Sequence, residues 1–371
     1  MGANRWIVTF LPISLYLVNA RIGYLADRKI LLLLGVVWLL SLFQVMKFGN
    51  ISPAFFYRPI LEFYAPFLVF TALGIRFYRY FLGVLKVVIV YTTIIYLLQT
   101  FLSPVDAYIR QMLIRVFPYS WADWPRTLLI YSTTRESGFF FERSSGIFHE
   151  PGAFALNLIL AITLNTIIQK SFVNKWNIFM SAVVITTFST AGYIALASYW
   201  GYAIIRARIN FLITGILFTV FIVASLFVYQ TQEFLGEKID EHLYVQSEYV
   251  KEGETMGRGR IFAAGISARI ALQNAFFGRG AITGVQEEGV YGYGLFDIFR
   301  RFGIIFGILY TFWFYRGLRR IADYYNYKKG VLALMIPLNL ALASQAYNFY
   351  MPFILMVIIG LYNGRLNPRE M

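Results

Sequence analysis

Glu142-Arg143-Ser144-Ser145-Gly146-Ile147-Phe148-His149-Glu150-Pro151-Gly152-Ala153-Phe154 is a polar stretch that leads without a linker into a largely apolar run ending near Gln169. Glu150-Pro151-Gly152 has the form of a helix start, with Pro151 at the first helical position and a carboxylate at the positive end of the helix dipole. The run that follows, about 153–169, approaches the ~20 residues needed to cross a hydrocarbon layer about 30 Å thick. The junction reads as a loop entering a membrane.

Composition extends that reading to the whole chain. Over 371 residues, 58% are hydrophobic, 19% aromatic and only 14% charged, with a mean hydropathy of +0.61. That is more apolar surface than a soluble domain can cover. The expected fold is all-α: a polytopic membrane protein with about 11 transmembrane helices, near 6–20, 30–47, 60–75, 81–103, 153–169, 176–189, 192–205, 209–229, 295–315, 331–344 and 348–363. The chain, 1–371, is expected to form a single membrane domain with two large loops, 104–152 and 230–294. No repeat of fixed period is visible. The first apolar segment lacks a small-residue cleavage pattern and reads as a retained span.

The net charge of +14 is a topology signal. Arg21, Arg28 and Lys29; Arg76 and Arg79; Lys170 and Lys175; Arg206 and Arg208; Arg316, Arg319, Arg320, Lys328 and Lys329; and, in the tail, Arg365 and Arg369 all fall on one side of the expected spans. That side is expected to face the cytoplasm. The two long loops then face outward. Basic residues dispersed in this way do not make a nucleic-acid surface. The absence of cysteine excludes disulfides and thiol catalysis, and with only His149 and His242 no histidine-rich metal site and no cofactor are expected.

In the first loop, Tyr108, Ile109, Met112, Leu113 and Val116 recur at helical spacing, followed by Tyr119, Trp121 and Trp124 as interfacial anchors. Capping of the next helix needs only Glu150 and Pro151, which leaves Arg143, Gly146 and His149 to be explained. The second loop begins acidic and turns basic at Arg258, Arg260, Arg269 and Arg279. Arg260 stands near the start of an expected helix over 261–276, where a cation is unfavourable without an anionic partner, either Glu254 or a ligand. Arg300-Arg301 lies just inside the next span, a position that calls for pairing with loop carboxylates or snorkelling to the interface. The unusual polar residues otherwise lie in the loops.

Arg-x-x-Gly-x-Phe-x-Glu-Pro-Gly-x-Phe-Ala at Arg143 to Ala155 resembles the loop-to-helix motif of Wzy-type O-antigen and polysaccharide polymerases. Thr186 to Tyr193, Gly257-Arg258-Gly259-Arg260, Gln273 to Gly280 and Gly303 to Gly307 resemble further segments of that family in the same order, covering roughly 140–315. The resemblance implies a GT-C-like membrane glycosyltransferase in the bacterial inner membrane with a periplasmic active site. Its donor would be an undecaprenyl-pyrophosphate-linked oligosaccharide, and its partners membrane lipids and a Wzz-like co-polymerase that regulates chain length. Arg143, His149, Glu150 and Arg260 then take catalytic roles, and Arg135, Arg258, Arg269, Arg279 and Tyr291 bind substrate. The related O-antigen ligases share the topology, but the segment Val290 to Phe296 lacks their histidine. A transporter or flippase of lipid-linked sugars is the alternative from another class, and a structural assembly subunit a third.

Overall fold

The computed structural model describes residues 27–49, 60–102, 104, 108, 111–112, 119–121, 124–126, 143–148, 150–207, 268–280, 294–327, 330–342 and 350–362. Among them the chain is almost entirely helical. Asp27 starts α1 (Arg28–Phe48) by accepting from the Lys29 amide at 2.7 Å, and Gly49, at φ 73°, ends it in the left-handed conformation. A π-helical turn (Ile60–Tyr64), α2 (Ala65–Leu73), a 3-10 turn (Gly74–Arg76) and α3 (Phe77–Phe101) follow. The apolar run Ile60–Leu98 is 39 residues long, about 58 Å if unbroken and nearly twice a hydrocarbon core. Gly74, at φ 57° and ψ −147°, breaks it where Arg76 and Arg79 follow.

Two three-residue strands, β1 (Tyr119–Trp121) and β2 (Trp124–Arg126), pair antiparallel with Trp121 opposite Trp124. Those aromatic positions, expected only as interfacial anchors, thus form a hairpin. Next come α4 (Pro151–Gln169), α5 (Lys175–Thr186), α6 (Thr190–Ala207), α7 (Gly294–Tyr324), α8 (Val331–Leu342) and α9 (Met351–Leu361).

Helices occupy nine of the eleven stretches expected as spans; 6–20 and 209–229 lie outside the described residues. Among the described residues, four helical runs are long and apolar enough to cross a membrane: Arg28–Phe48, Ile60–Leu98, Pro151–Gln169 and Asp297–Tyr324. α5 has 12 residues and α9 has 11, a reach of about 18 Å that does not cross the core unaided. The chain divides into two compact units: 1–81 with 263–332 and 346–371, and 82–262 with 333–345.

Each unit is built around one fully enclosed helix. In the second unit that helix is α4, buried at every position from Pro151 to Ile167. Its far end is tied by side-chain amides: Asn165 Nδ2 donates to Asn177 Oδ1 at 2.7 Å and to Asn174 Oδ1 at 2.9 Å. Asn177 Nδ2 lies 2.9 Å from Thr166 Oγ1 and 2.8 Å from the Tyr199 hydroxyl, and Lys86 Nζ donates to Asn165 Oδ1 at 2.8 Å. In an apolar medium a network with its partners in place holds α4, α5 and α6 in one register.

The first unit centres on α9, buried from Pro352 to Gly360 and packed along α7. The contact is glycine-mediated: a Cβ on Gly317 would strike the Met356 carbonyl, and one on Gly360 the Trp313 carbonyl. Around this centre, α1 exposes Leu31, Leu32, Leu39 and Met46, and α7 exposes Ile305, Ile308 and Phe312. Such apolar faces require lipid or protein cover. Gly317→Ala or Gly360→Ala forces α7 and α9 apart and should lower stability by about 2 kcal/mol, read as a lower unfolding midpoint in detergent. Gly201→Ala, with nothing within 4 Å of the added Cβ, should not lower it.

Candidate functional site: the loop-to-helix junction and the break in α7

The junction singled out by sequence is assembled from two segments some forty residues apart. α5 ends at Thr186, and the turn to α6 passes through Phe188 at φ 46°. Carbonyls of this turn are bound by Arg143. Its Nε donates to the Thr187 carbonyl at 3.4 Å, its Nη2 to the Phe188 carbonyl at 3.3 Å, and the Ser144 amide to the Thr186 carbonyl at 2.9 Å. A guanidinium at a helix C-terminus also meets the negative end of the dipole. Arg143 is accordingly 7% exposed, and Tyr193 on α6 lies within its electrostatic reach.

From Arg143 the chain turns into α4. Gly146, at φ 57°, packs against the Phe154 ring, where a Cβ would come within 3.1 Å, and Phe148 stacks on Phe154 with centroids 5.8 Å apart. Glu150 is the N-cap residue in extended conformation, Pro151 follows at the head of α4, and the Glu150 side chain makes no capping bond. Its carboxylate is exposed at the positive end of the dipole. Gly192 closes the junction, its Cα facing the Ala155 methyl so closely that a Cβ would sit 2.8 Å away. Arg143 and Gly146, which capping of α4 alone left unexplained, thus have structural roles here: one caps α5, the other admits the Phe154 ring.

The remaining expected site residues are placed unevenly. Arg269 is exposed on the helical residues 268–273, and Arg279 is half-buried in the turn that follows. His149, Arg260, Arg135, Arg258 and Tyr291 lie outside the described residues.

A second charged cluster was not anticipated. α7 is interrupted at Gly303, whose φ of 85° and ψ of 172° split it into two halves. The turn 274–280 docks on the break: the Arg279 amide donates to the Arg300 carbonyl at 2.7 Å, the Gly280 amide to the Arg301 carbonyl at 3.1 Å, and the Ile304 amide to the Ala275 carbonyl at 2.7 Å. Gln44 Nε2 bridges the Phe277 and Arg301 carbonyls at 2.5 and 2.7 Å. Gly278, at φ 65°, lies against the Arg301 carbonyl, which only a residue without Cβ permits.

On the first half of α7, Asp297 pairs with Arg300 at 2.6 Å and with Arg301 at 2.5 Å. Glu62 of the π-helical turn also acts electrostatically on Arg301. Arg300-Arg301 was expected to pair with loop carboxylates or to snorkel; the partner found is on its own helix, and Arg300 is 3% exposed. The signal was present as Asp-x-x-Arg-Arg, the i, i+3 and i, i+4 spacing of one helix face. Charged groups therefore sit inside apolar helices as well as in loops.

Arg143→Met leaves the Thr187 and Phe188 carbonyls without their donors and should cost the second unit about 1–3 kcal/mol. Faster hydrogen exchange over 143–148 and 186–192 would report it, with Arg143→Lys between the two. Compared with family models, curated proteins and solved structures, the chain finds no match in any of the three.

Proposed function

We propose that the protein is a multi-pass membrane glycosyltransferase of polysaccharide-polymerase type. It transfers a growing glycan from a polyprenyl pyrophosphate to an incoming lipid-linked repeat, on the outer face of a bacterial inner membrane that about eleven helices cross. One observation supports the reading above others: Arg143 to Ala155 and Thr186 to Tyr193, which carry the same resemblance separately in sequence, form one junction through Arg143, Ser144 and the Ala155–Gly192 contact.

In this reaction the acceptor hydroxyl oxygen forms a bond to the anomeric carbon of the donor while the bond from that carbon to the pyrophosphate oxygen breaks. Pyrophosphate leaves with the electron pair, so the step asks chiefly for fixed positive charge. Arginine, always protonated, meets that need. Arg258 or Arg260 contacts the pyrophosphate, and Arg143 adds its charge from the α5–α6 turn. The proton of the acceptor hydroxyl passes to His149 or Glu150; the exposed, uncapping carboxylate of Glu150 suits a base. Arg135, Arg269 and Arg279 bind further along the substrate, and Tyr291 stacks on a sugar ring.

The buried charges at Glu62, Asp297, Arg300 and Arg301 and the interrupted α7 favour a second reading, a transporter of lipid-linked sugars. Purified protein given a synthetic lipid-linked repeat separates the two, since only a polymerase lengthens the glycan unaided. Arg260→Ala and Glu150→Gln should each reduce extension roughly 10²-fold or more. Full extension by both variants, or movement of lipid-linked sugar across the bilayer without extension, overturns the polymerase reading.

A further inference from the structure

Arg300 is bound more tightly into the protein than its bonds account for. Its Nη2 donates to Asp297 Oδ1 at 2.6 Å, while Nε and Nη1 are buried with no hydrogen-bond partner. Three N–H bonds of a charged group thus lack an acceptor in a region 3% exposed. Leaving them so costs more than a neutral group would, because the desolvation is that of a cation. Asp297 is already shared with Arg301, and the carbonyls that the Gly303 break frees, those of Arg300 and Arg301, are taken by the Arg279 and Gly280 amides and by Gln44. Glu62 of the π-helical turn acts on Arg301 and not on Arg300.

We propose that Arg300 anchors an oxyanion site at the break in α7, one that takes a phosphate group. Phosphate oxygens carry enough lone pairs and charge to fill donors that point in more than one direction, which a single neutral carbonyl does not. Asp297 fixes the guanidinium by its third nitrogen and so orients Nε and Nη1. Gly278 brings the turn bearing Arg279 against the break, and a side chain there would push it off. The phosphate belongs either to a pyrophosphate-type ligand or to an anionic phospholipid headgroup. Its residues are not those of the Arg143 junction, and its occupation does not depend on glycosyl transfer.

The test uses the full-length protein in nanodiscs of phosphatidylcholine, with the unfolding midpoint as readout. Inorganic pyrophosphate, or replacement of about one-third of the lipid by phosphatidylglycerol, should raise the midpoint by a few degrees, as a ligand confined to the folded state does. Sodium chloride of equal ionic strength should not. Arg300→Gln should abolish the rise and Arg206→Gln should keep it. A rise with pyrophosphate alone assigns the site to a pyrophosphate-type ligand, and with phosphatidylglycerol alone to a lipid headgroup. No rise with either, or an undiminished rise in Arg300→Gln, overturns the proposal and leaves water as the partner of the guanidinium. Should Arg300→Gln not accumulate, Arg300→Lys decides: it keeps the charge, loses the Nε donor and should reduce the rise, and an unchanged rise overturns the site. No turnover enters the measurement, so loss of chain extension is a distinct result.

Discussion

A backbone carbonyl or amide freed at a helix break has no water to turn to in an apolar medium, and the described structure is organised around meeting that demand. At the end of α5 the donors come from Arg143 and Ser144. At the break in α7 they come from the amides of Arg279 and Gly280 and from Gln44, while Ala275 accepts from Ile304. In both cases a segment distant in sequence supplies what the helix cannot. Loops that serve as caps are thereby fixed in place, and charged residues within them acquire defined positions.

Packing adds a second constraint of the same kind. α4 and α9 are enclosed on all sides, and each is approached closely through glycine: Gly192 at Ala155, and Gly317 with Gly360 where α7 meets α9. Lipid offers helices no hydrophobic reason to associate, so close backbone approach and shared polar groups have to do it. The Asn165–Asn177–Tyr199 cluster is the polar counterpart in the second unit. Polar residues along these helices are thus fastenings between elements, whereas Arg300 keeps two buried nitrogens without a hydrogen-bond partner.

Helix positions followed closely from apolar run lengths and from punctuation: Glu150-Pro151 before α4, and the basic pair Arg76 and Arg79 near the start of α3. The break at Gly303 was legible only as a glycine in a resembling segment, because a lone glycine inside an apolar run does not state its φ. The β1–β2 hairpin was missed, since its aromatic residues fit an interfacial anchor equally well. Arg143 and Glu150 were legible as unusual, yet the partners of Arg143 were not, because Thr187 and Phe188 offer main-chain carbonyls that any residue carries.

By itself the sequence determined that this is a helical, apolar chain of membrane type, where most helices begin and end, and which loop arginines stand out. Those properties are local, written in hydropathy, capping residues and charge spacing. Tertiary structure alone decided which backbone groups Arg143 caps, that Asp297 holds Arg300 and Arg301 within one helix, and that a glycine turn seals the Gly303 break. Each depends on a partner chosen by geometry after the helices pack, and no residue pattern names a carbonyl.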